Sequence, residues 1–209
     1  MTQVLLAIDT SSGTAVSVLI DGVVASELYD GNSMQHAENI GVLLSKALNV
    51  AGKKSSEVTA VAVGVGPAPF TGLRVGVAAA KLFAEGVKVP IFGVSSLAAI
   101  AFAEPLEEPT LILTDARRSE VYFGLYQDRT RHGDPKVLLG PGVKKLAELE
   151  AELASSGIGY KTVQSQLKAS NIGLLALAQL AEGTADSKVL ANYLRAPDAV
   201  PAKGKKVSG

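Results

Sequence analysis

The sequence predicts an α/β fold made of two related lobes with the element order βββαβα, the second lobe being shortened. The first observation is the order of patterns in residues 1–105, where three apolar strand patterns precede alternating helix and strand patterns. The second observation is an internal repeat without gaps: VLLAIDTSSGTAVSVLIDG (4–22) aligns with TLILTDARRSEVYFGLYQD (110–128). In this alignment Asp9 falls on Asp115, and each aspartate ends an apolar strand pattern.

The first three strands of the first lobe follow from local patterns. VLLAID (4–9) is a continuous apolar run of the kind found in a buried central strand. TAVSVLI (14–20) follows after a short turn, and Asp21-Gly22 is a two-residue hairpin signal. VVASELY (23–29) is therefore the third strand of an antiparallel meander.

The rest of the first lobe alternates helix and strand. Apolar residues at helical spacing predict a first helix over 38–51, and Gly52 follows where a C-cap glycine is expected. TAVAVGV predicts the fourth strand, a second helix is expected to begin near Thr71 or Gly72, and IFGV predicts the fifth strand. Ser95 or Ser96 is a suitable N-cap for a third helix.

The second lobe repeats part of this order. VKKLAELEAELAS falls on the first helix at the same offset, and a weak strand and the helix IGLLALAQLAEG follow Gly157. AEPLEEPT is a joint rich in Pro and Glu between the lobes. We therefore predict lobes over 1–105 and 106–195, followed by a flexible polar tail over 196–209.

Composition limits the classes of function. Lys plus Arg and Asp plus Glu number 20 each, so no net charge attracts the chain to nucleic acid or to an anionic membrane. The chain has no Cys, which excludes disulfides, thiolate catalysis and cysteine metal ligands. The N-terminus lacks a basic region, and no apolar run reaches about 18 residues, so we expect a cytoplasmic protein without a membrane segment.

The stretch GVGPAPFTGLRVG (64–76) joins a strand to a helix through glycines and prolines, an order that often holds phosphate. It does not match the dinucleotide fingerprint, because Pro69 stands at the third glycine position, and the chain has no P-loop motif. The sequence is compatible with two interpretations of this stretch, a tight turn before a helix and a ligand-binding loop.

Two βββαβα lobes, each with an aspartate after its first strand, resemble the actin-like ATPase superfamily, which has a ribonuclease H-like fold. The resemblance implies that Asp9, Thr10, Ser11 and Asp115 lie in two phosphate loops that face a shared cleft. The second loop departs from the pattern, since it reads Asp-Ala-Arg-Arg where active members have glycine after the aspartate. A nucleotide-binding enzyme that uses the Asp9/Asp115 cleft is therefore the alternative function.

Several motifs in order resemble the TsaB (YeaZ) family. GVGPAPFTGLRVG is close to the family signature GPGSFTGLR, with Ala68 and Pro69 in place of the usual Gly-Ser. The other matching motifs are IDTSSGTAVSV, GVSSLAAIA, DARRSEVYFGLY and YLRAPDA.

This resemblance implies a non-catalytic paralogue that binds and activates TsaD. TsaD transfers a threonylcarbamoyl group to adenosine 37 of tRNAs that read ANN codons, and the ATPase TsaE joins the complex. The resemblance further implies tRNA contact only through the complex, a homodimer in isolation and no required cofactor, while weak ADP or ATP binding is allowed.

Loss of catalysis has a physical basis in the residues. A TsaD-type metal site uses two histidines one helical turn apart, and Ser96 and Ile100 stand at the matching positions. The only histidines are His36 and His132, and neither has a second His or Cys at ligand spacing. For His36 a local contact near the helix start is favoured over an interface contact. A glycoprotease-like peptidase is disfavoured, because no Ser lies in a Gly-x-Ser-x-Gly motif.

The second helix carries a stripe of small residues that needs a packing reason, since glycine inside a helix costs up to about 1 kcal/mol. Packing within the chain and a helix–helix interface with TsaD are both open explanations. For the Arg74 side chain the sequence allows two alternatives, a contact with the partner protein or a contact with a local carboxylate. The predicted interface comprises Val42, Val50, Gly72, Arg74, Val75, Gly76, Ala79, Ala80 and Phe83.

Overall fold

The structure is a computed structural model that describes residues 2–32 and 36–195. The predicted tail over 196–209 lies outside the described residues. The first half contains β1 (Val4–Asp9), β2 (Thr14–Ile20), β3 (Val23–Asp30), α1 (His36–Val50), β4 (Ala60–Gly64), α2 (Phe70–Val87), β5 (Ile91–Val94) and α3 (Ser96–Phe102). The predicted order of these elements is confirmed, with α2 beginning at Phe70 rather than at Thr71 or Gly72.

The second half contains β6 (Thr110–Asp115), β7 (Glu120–Arg129), β8 (Pro135–Lys145), α4 (Leu146–Ser156), β9 (Lys161–Val163) and α5 (Ala169–Glu182). The two sheets have the strand orders β3-β2-β1-β4-β5 and β8-β7-β6-β9. The second order repeats the first without its last strand, so the internal duplication and the shortening of its second copy are both confirmed. This is the predicted actin-like, ribonuclease H-like fold.

The turns form where the sequence placed them. Asp21 and Gly22 both have positive φ, at 50° and 80°, as the two-residue hairpin between β2 and β3 requires. Gly52, with φ of 64°, follows α1 in the left-handed conformation. Ser95 caps α3, because its side chain accepts a hydrogen bond from the Ala98 N–H at 3.3 Å.

Alternation along β1 explains how the helices cover the first sheet. Val4, Leu6 and Ile8 point to one face and pack in a core with α1 and α2. Leu5 and Ala7 point to the other face and share a core with α3 and α5. α1 and α2 therefore form an outer layer on the first sheet.

α3 and α5 lie between the two sheets. Ile172 and Leu175 of α5 belong to the same core as Leu5 of the first sheet and Ile112 of the second. The outer face of the second sheet packs against Leu149 and Leu153 of α4. The layers are thus helix, sheet, helix, sheet, helix, and the division into lobes at residue 105 stays a prediction.

Glu27 links the first sheet to α5. Its two carboxylate oxygens accept the backbone N–H groups of Ala169 at 2.9 Å and Ser170 at 2.8 Å, which begin this helix. A carboxylate at a helix N-terminus satisfies donors that have no partner inside the helix. A side chain of β3 therefore fixes where the last helix starts.

Candidate functional site

The turn after β1 is closed by its own hydrogen bonds. The Asp9 side chain is buried, with one carboxylate oxygen accepting the Ser11 N–H at 2.7 Å and the Ser11 hydroxyl at 2.5 Å. Its other oxygen accepts the Ser96 hydroxyl at 2.8 Å. Asp9 therefore ties the end of β1 to the first turn of α3.

Two glycines permit this closure. The Thr10 hydroxyl donates to the Gly72 carbonyl at 2.8 Å, so α2 lies directly on the turn. A Cβ at Gly76 would lie 2.2 Å from the Thr10 Oγ1, and a Cβ at Gly64 would lie 1.8 Å from a carboxylate oxygen of Asp9. The glycines at these positions allow β4 and α2 to approach the turn closely.

This contact changes the interpretation of the stripe on α2. Gly72, Gly76 and Ala80 are buried within the chain, against the turn and the core under α2. Packing within the chain, one of the two explanations left open, accounts for these residues. Their expected place on an exposed interface is wrong, because the side of the helix that carries them faces inward.

The turn after β6 is open. Asp115 is exposed and accepts the Arg117 N–H at 2.8 Å. Arg117, Arg118 and Ser119 have φ values of 63°, 53° and 61°, so three consecutive non-glycine residues are left-handed. Such a run is unusual, since each left-handed non-glycine residue costs roughly 1–2 kcal/mol.

Two cavities lie beside these turns. One, of about 220 Å³, is lined by Ser11, Ser12, Gly31, Pro67, Ala68, Pro69, Ser96, Thr114, Asp115, Arg117 and Tyr122. The other, of about 490 Å³, is lined by Ser12, Tyr29, Leu113, Thr114, Asp115, Val121, Gln164, Ser165 and Gln166. The structure thus brings Ser11 and Asp115 to one cavity, whereas Asp9 and Thr10 line neither.

Hydroxyl, amide and carboxylate groups line both cavities together with apolar surface. Burial raises the pKa of the Tyr122 phenol, and the nearby Arg195 guanidinium acts in the opposite direction. Such a lining suits a small polar ligand by hydrogen bonding, and nucleotide binding there stays a prediction.

The positions that would hold a TsaD-type metal are part of the core. Ser96 and Ile100 are both 2% exposed, and the Ser96 hydroxyl is occupied by Asp9. The His36 side chain lies outside the described residues. His132 lies elsewhere, where its backbone N–H donates to Glu182 at 2.8 Å.

The exposed side of α1 and α2 carries apolar side chains. Val42 and Val50 on α1 are 57% and 65% exposed, and Leu82 on α2 is 75% exposed. Val75, Ala79 and Phe83 are partly buried at the edge of the same core. Sequence reasoning missed Leu82, although it continues the helical spacing of Val75 and Ala79.

Arg74 does not meet a local carboxylate in the part of the chain that the structure describes. Its guanidinium carbon lies 3.6 Å from the centroid of the Phe70 ring, and its Nε donates to the Tyr193 hydroxyl at 3.2 Å. Of the two contacts expected for Arg74, the ion pair with a local carboxylate is therefore not formed by the described residues. The side chain contacts two aromatic rings instead.

Within residues 2–32 and 36–195, no helix has the length and apolar character needed to cross a membrane.

Comparisons with known proteins identify the family. The family model described as "TsaD: tRNA N6-adenosine threonylcarbamoyltransferase" matches residues 22–195. An uncharacterised protein of Mycobacterium tuberculosis is 35% identical over 94% of this chain and 93% of its own length. The Escherichia coli "tRNA threonylcarbamoyladenosine biosynthesis protein TsaB" is 29% identical over 75% of this chain and 72% of its own.

A solved structure agrees with these sequence matches. YeaZ from Pseudomonas aeruginosa superposes with a TM-score of 0.75 and 26% identity, covering 92% of this chain and all of that one. The relatives, the family model and the shared fold together show that this chain belongs to the TsaB (YeaZ) family.

Proposed function

We propose that this chain is a non-catalytic subunit that binds TsaD and activates threonylcarbamoyl transfer to adenosine 37 of tRNAs that read ANN codons. A place in this modification pathway is supported by relatives that carry the name TsaB. The observation that carries the proposal is the exposed apolar face of α1 and α2, which we call the outer helix face: Val42, Val50, Val75, Ala79, Leu82 and Phe83.

The closed first turn supports the non-catalytic role. The Asp9 carboxylate accepts three hydrogen bonds from Ser11 and Ser96, so binding a metal ion or a phosphate would require breaking them. The chain then needs no cofactor of its own, and weak ADP or ATP binding is confined to the cavities beside Asp115.

The outer helix face supports the partner role. Exposed valine and leucine side chains on two adjacent helices are suited to pack against helices of another protein. We propose that TsaD covers this face in a heterodimer, that TsaE and tRNA join through the complex, and that a second copy of this chain covers the face when TsaD is absent.

The main experiment measures modification of a cognate tRNA at adenosine 37, with TsaD, TsaE and the threonylcarbamoyl-adenylate supplied, with and without this chain. We expect modification to require the chain and to survive Asp115→Ala, which alters the open turn. Modification that proceeds equally well without the chain contradicts the proposal. ATP hydrolysis by the purified chain alone, abolished by Asp115→Ala, would support the alternative enzyme.

A pair of variants tests the surface. Leu82→Glu places a charge on the outer helix face and is expected to weaken TsaD binding at least about 10-fold. Val137→Glu is the matched control, because Val137 is 52% exposed on β8, away from that face. Both variants should keep their circular-dichroism spectra, and equal binding by both contradicts the assignment of the face.

A further inference from the structure

Arg74 is held in one position by aromatic side chains. It lies one helical turn after Phe70 on α2, with its guanidinium over the Phe70 ring at 3.6 Å. The Phe70 and Tyr193 rings lie 4.6 Å apart, and the Tyr193 hydroxyl accepts the Arg74 Nε–H at 3.2 Å. Stacking and one hydrogen bond therefore restrict a side chain that normally samples many rotamers.

The position of Tyr193 is fixed by hydrogen bonds that its own segment, residues 186–195 after α5, makes with other parts of the chain. The Gly93 N–H donates to the Asp186 carbonyl at 2.8 Å, and the Asn192 N–H donates to the Val65 carbonyl at 2.7 Å. Beyond Tyr193, the Arg195 side chain donates to the Ala116 carbonyl at 2.6 Å. Contacts on both sides of Tyr193 therefore hold its ring against α2.

The charge of Arg74 is not neutralised by the described residues. The ion pairs found among them include those of Lys53, Lys144, Lys145 and Arg195, and none of these involves Arg74. Because Tyr193 uses only Nε, the two terminal nitrogens keep their geometry for a planar, two-oxygen acceptor. A positioned guanidinium loses less entropy on binding such an acceptor than a mobile one does.

We propose that Arg74 is the receptor for a carboxylate side chain of TsaD at the edge of the outer helix face. This inference rests on the proposed function and specifies the chemistry of the partner at one position. Val75 is the next residue of α2 and Leu82 lies two turns further, so the charge borders apolar contact area, as in the polar rim of an interface.

A nucleic-acid phosphate fits this position less well. Phosphate-binding surfaces present clustered Lys and Arg residues, whereas the next cation on α2 is Lys81, about 10 Å further along the helix. The chain as a whole has balanced charges, with 20 acidic and 20 basic residues.

The test compares the dissociation constant of the complex with TsaD from the same organism for the wild-type chain and for Arg74→Gln, Arg74→Lys and Lys81→Gln. We expect Arg74→Gln to weaken binding about 30-fold, with a smaller salt dependence than the wild type. Arg74→Lys keeps the charge but loses the planar pair of N–H donors, and we expect it to weaken TsaD binding about 10-fold. Lys81→Gln removes an exposed cation of the same helix without stacking partners, and less than about 3-fold weakening is expected.

Each outcome decides the inference. Similar small losses for Arg74→Gln and Lys81→Gln overturn it, because the effect is then general electrostatics. If Arg74→Gln lowers the affinity of the chain for tRNA alone and leaves TsaD binding unchanged, the acceptor is a phosphate and the inference is wrong. If the wild-type chain binds no TsaD at all, the proposed function fails together with it, whereas failure of the Arg74 variants alone leaves the proposed function standing.

Discussion

The turns after β1 and β6 occupy equivalent places in the duplicated unit, yet they have opposite characters. In the first, Asp9-Thr10-Ser11, the aspartate and threonine are buried under α2 and α3, and their polar groups are satisfied by Ser11, Ser96 and the Gly72 carbonyl. The second, Asp115-Ala116-Arg117, leaves its aspartate exposed and continues through three left-handed residues. Duplication of a strand–turn–strand unit thus preserved the strands and let one turn become structural.

An aspartate that aligns in an internal repeat is therefore not by itself a functional aspartate. What decides its role is the set of groups that later elements bring to it, here Ser96 of α3 for Asp9. Among the described residues no helix side chain reaches Asp115 in this way, and its carboxylate accepts the Arg117 N–H of its own turn.

Asp9→Ala and Asp115→Ala should differ strongly in their effect on stability. Removing the Asp9 carboxylate leaves the Ser11 and Ser96 donors without their acceptor in a buried place, and we expect a loss of about 3 kcal/mol in the free energy of unfolding. Asp115→Ala removes one exposed acceptor and should cost less than about 1 kcal/mol. Urea unfolding of both variants measures the contrast, and equal losses would refute it.

Substitutions at two glycines of α2 should have opposite signs. Gly76→Ala drives a methyl group into Thr10, at a cost of about 1–3 kcal/mol that outweighs the helix propensity gained. Gly86→Ala, at a position where the new Cβ meets nothing within 4 Å beyond the backbone of its own helix and its chain neighbours, should stabilise the chain by about 0.5 kcal/mol. Thermal unfolding of the two variants gives the signs, and stabilisation by Gly76→Ala is incompatible with the close packing of α2 on the first turn.

These examples indicate how much the sequence could predict. The apolar runs defined the strands, and the ungapped alignment placed β6 and the start of β7 relative to β1 and β2, because burial and alternation are local signals. The partner of Asp9 lies 87 residues away, and that of Arg74 lies 119 residues away, so no local pattern contains them. The small-residue stripe was visible, but a stripe suits an internal or an external neighbour equally well.

The left-handed turn was beyond sequence reasoning for a different reason. Arg117, Arg118 and Ser119 have no intrinsic preference for positive φ, so their conformation follows from closing the hairpin between β6 and β7. A search for turns that relies on glycine and proline does not detect a turn made of arginine and serine residues.

Ser119→Gly should relieve part of the strain in the second turn. Glycine adopts the left-handed region without a Cβ clash, and this gain exceeds its entropic cost in the unfolded chain, leaving a net stabilisation of about 0.5 kcal/mol. Ser119→Ala retains the strain and serves as the control that removes only the exposed hydroxyl. Chemical denaturation should therefore order the variants as glycine above alanine, and the reverse order contradicts a strained turn.

Asp134 extends the contrast to a third carboxylate, with the smallest expected effect. Burial raises its pKa, and the Glu182 charge adds to this, while a long hydrogen bond from Gln179 opposes it. A raised pKa in the folded state means that the neutral acid stabilises the fold below the unfolded pKa of about 4, and that this stabilisation is lost as pH rises. Asp134→Asn, which keeps the shape and removes the charge, should slightly raise the melting temperature at pH 7 and leave it unchanged near pH 3.

Asp9 has close donors on both oxygens, so Asp9→Asn should instead lower the melting temperature at pH 7. The same substitution thus has opposite effects on stability at the half-buried Asp134 and the buried Asp9, because the donors around the charge, and not burial alone, determine its free energy.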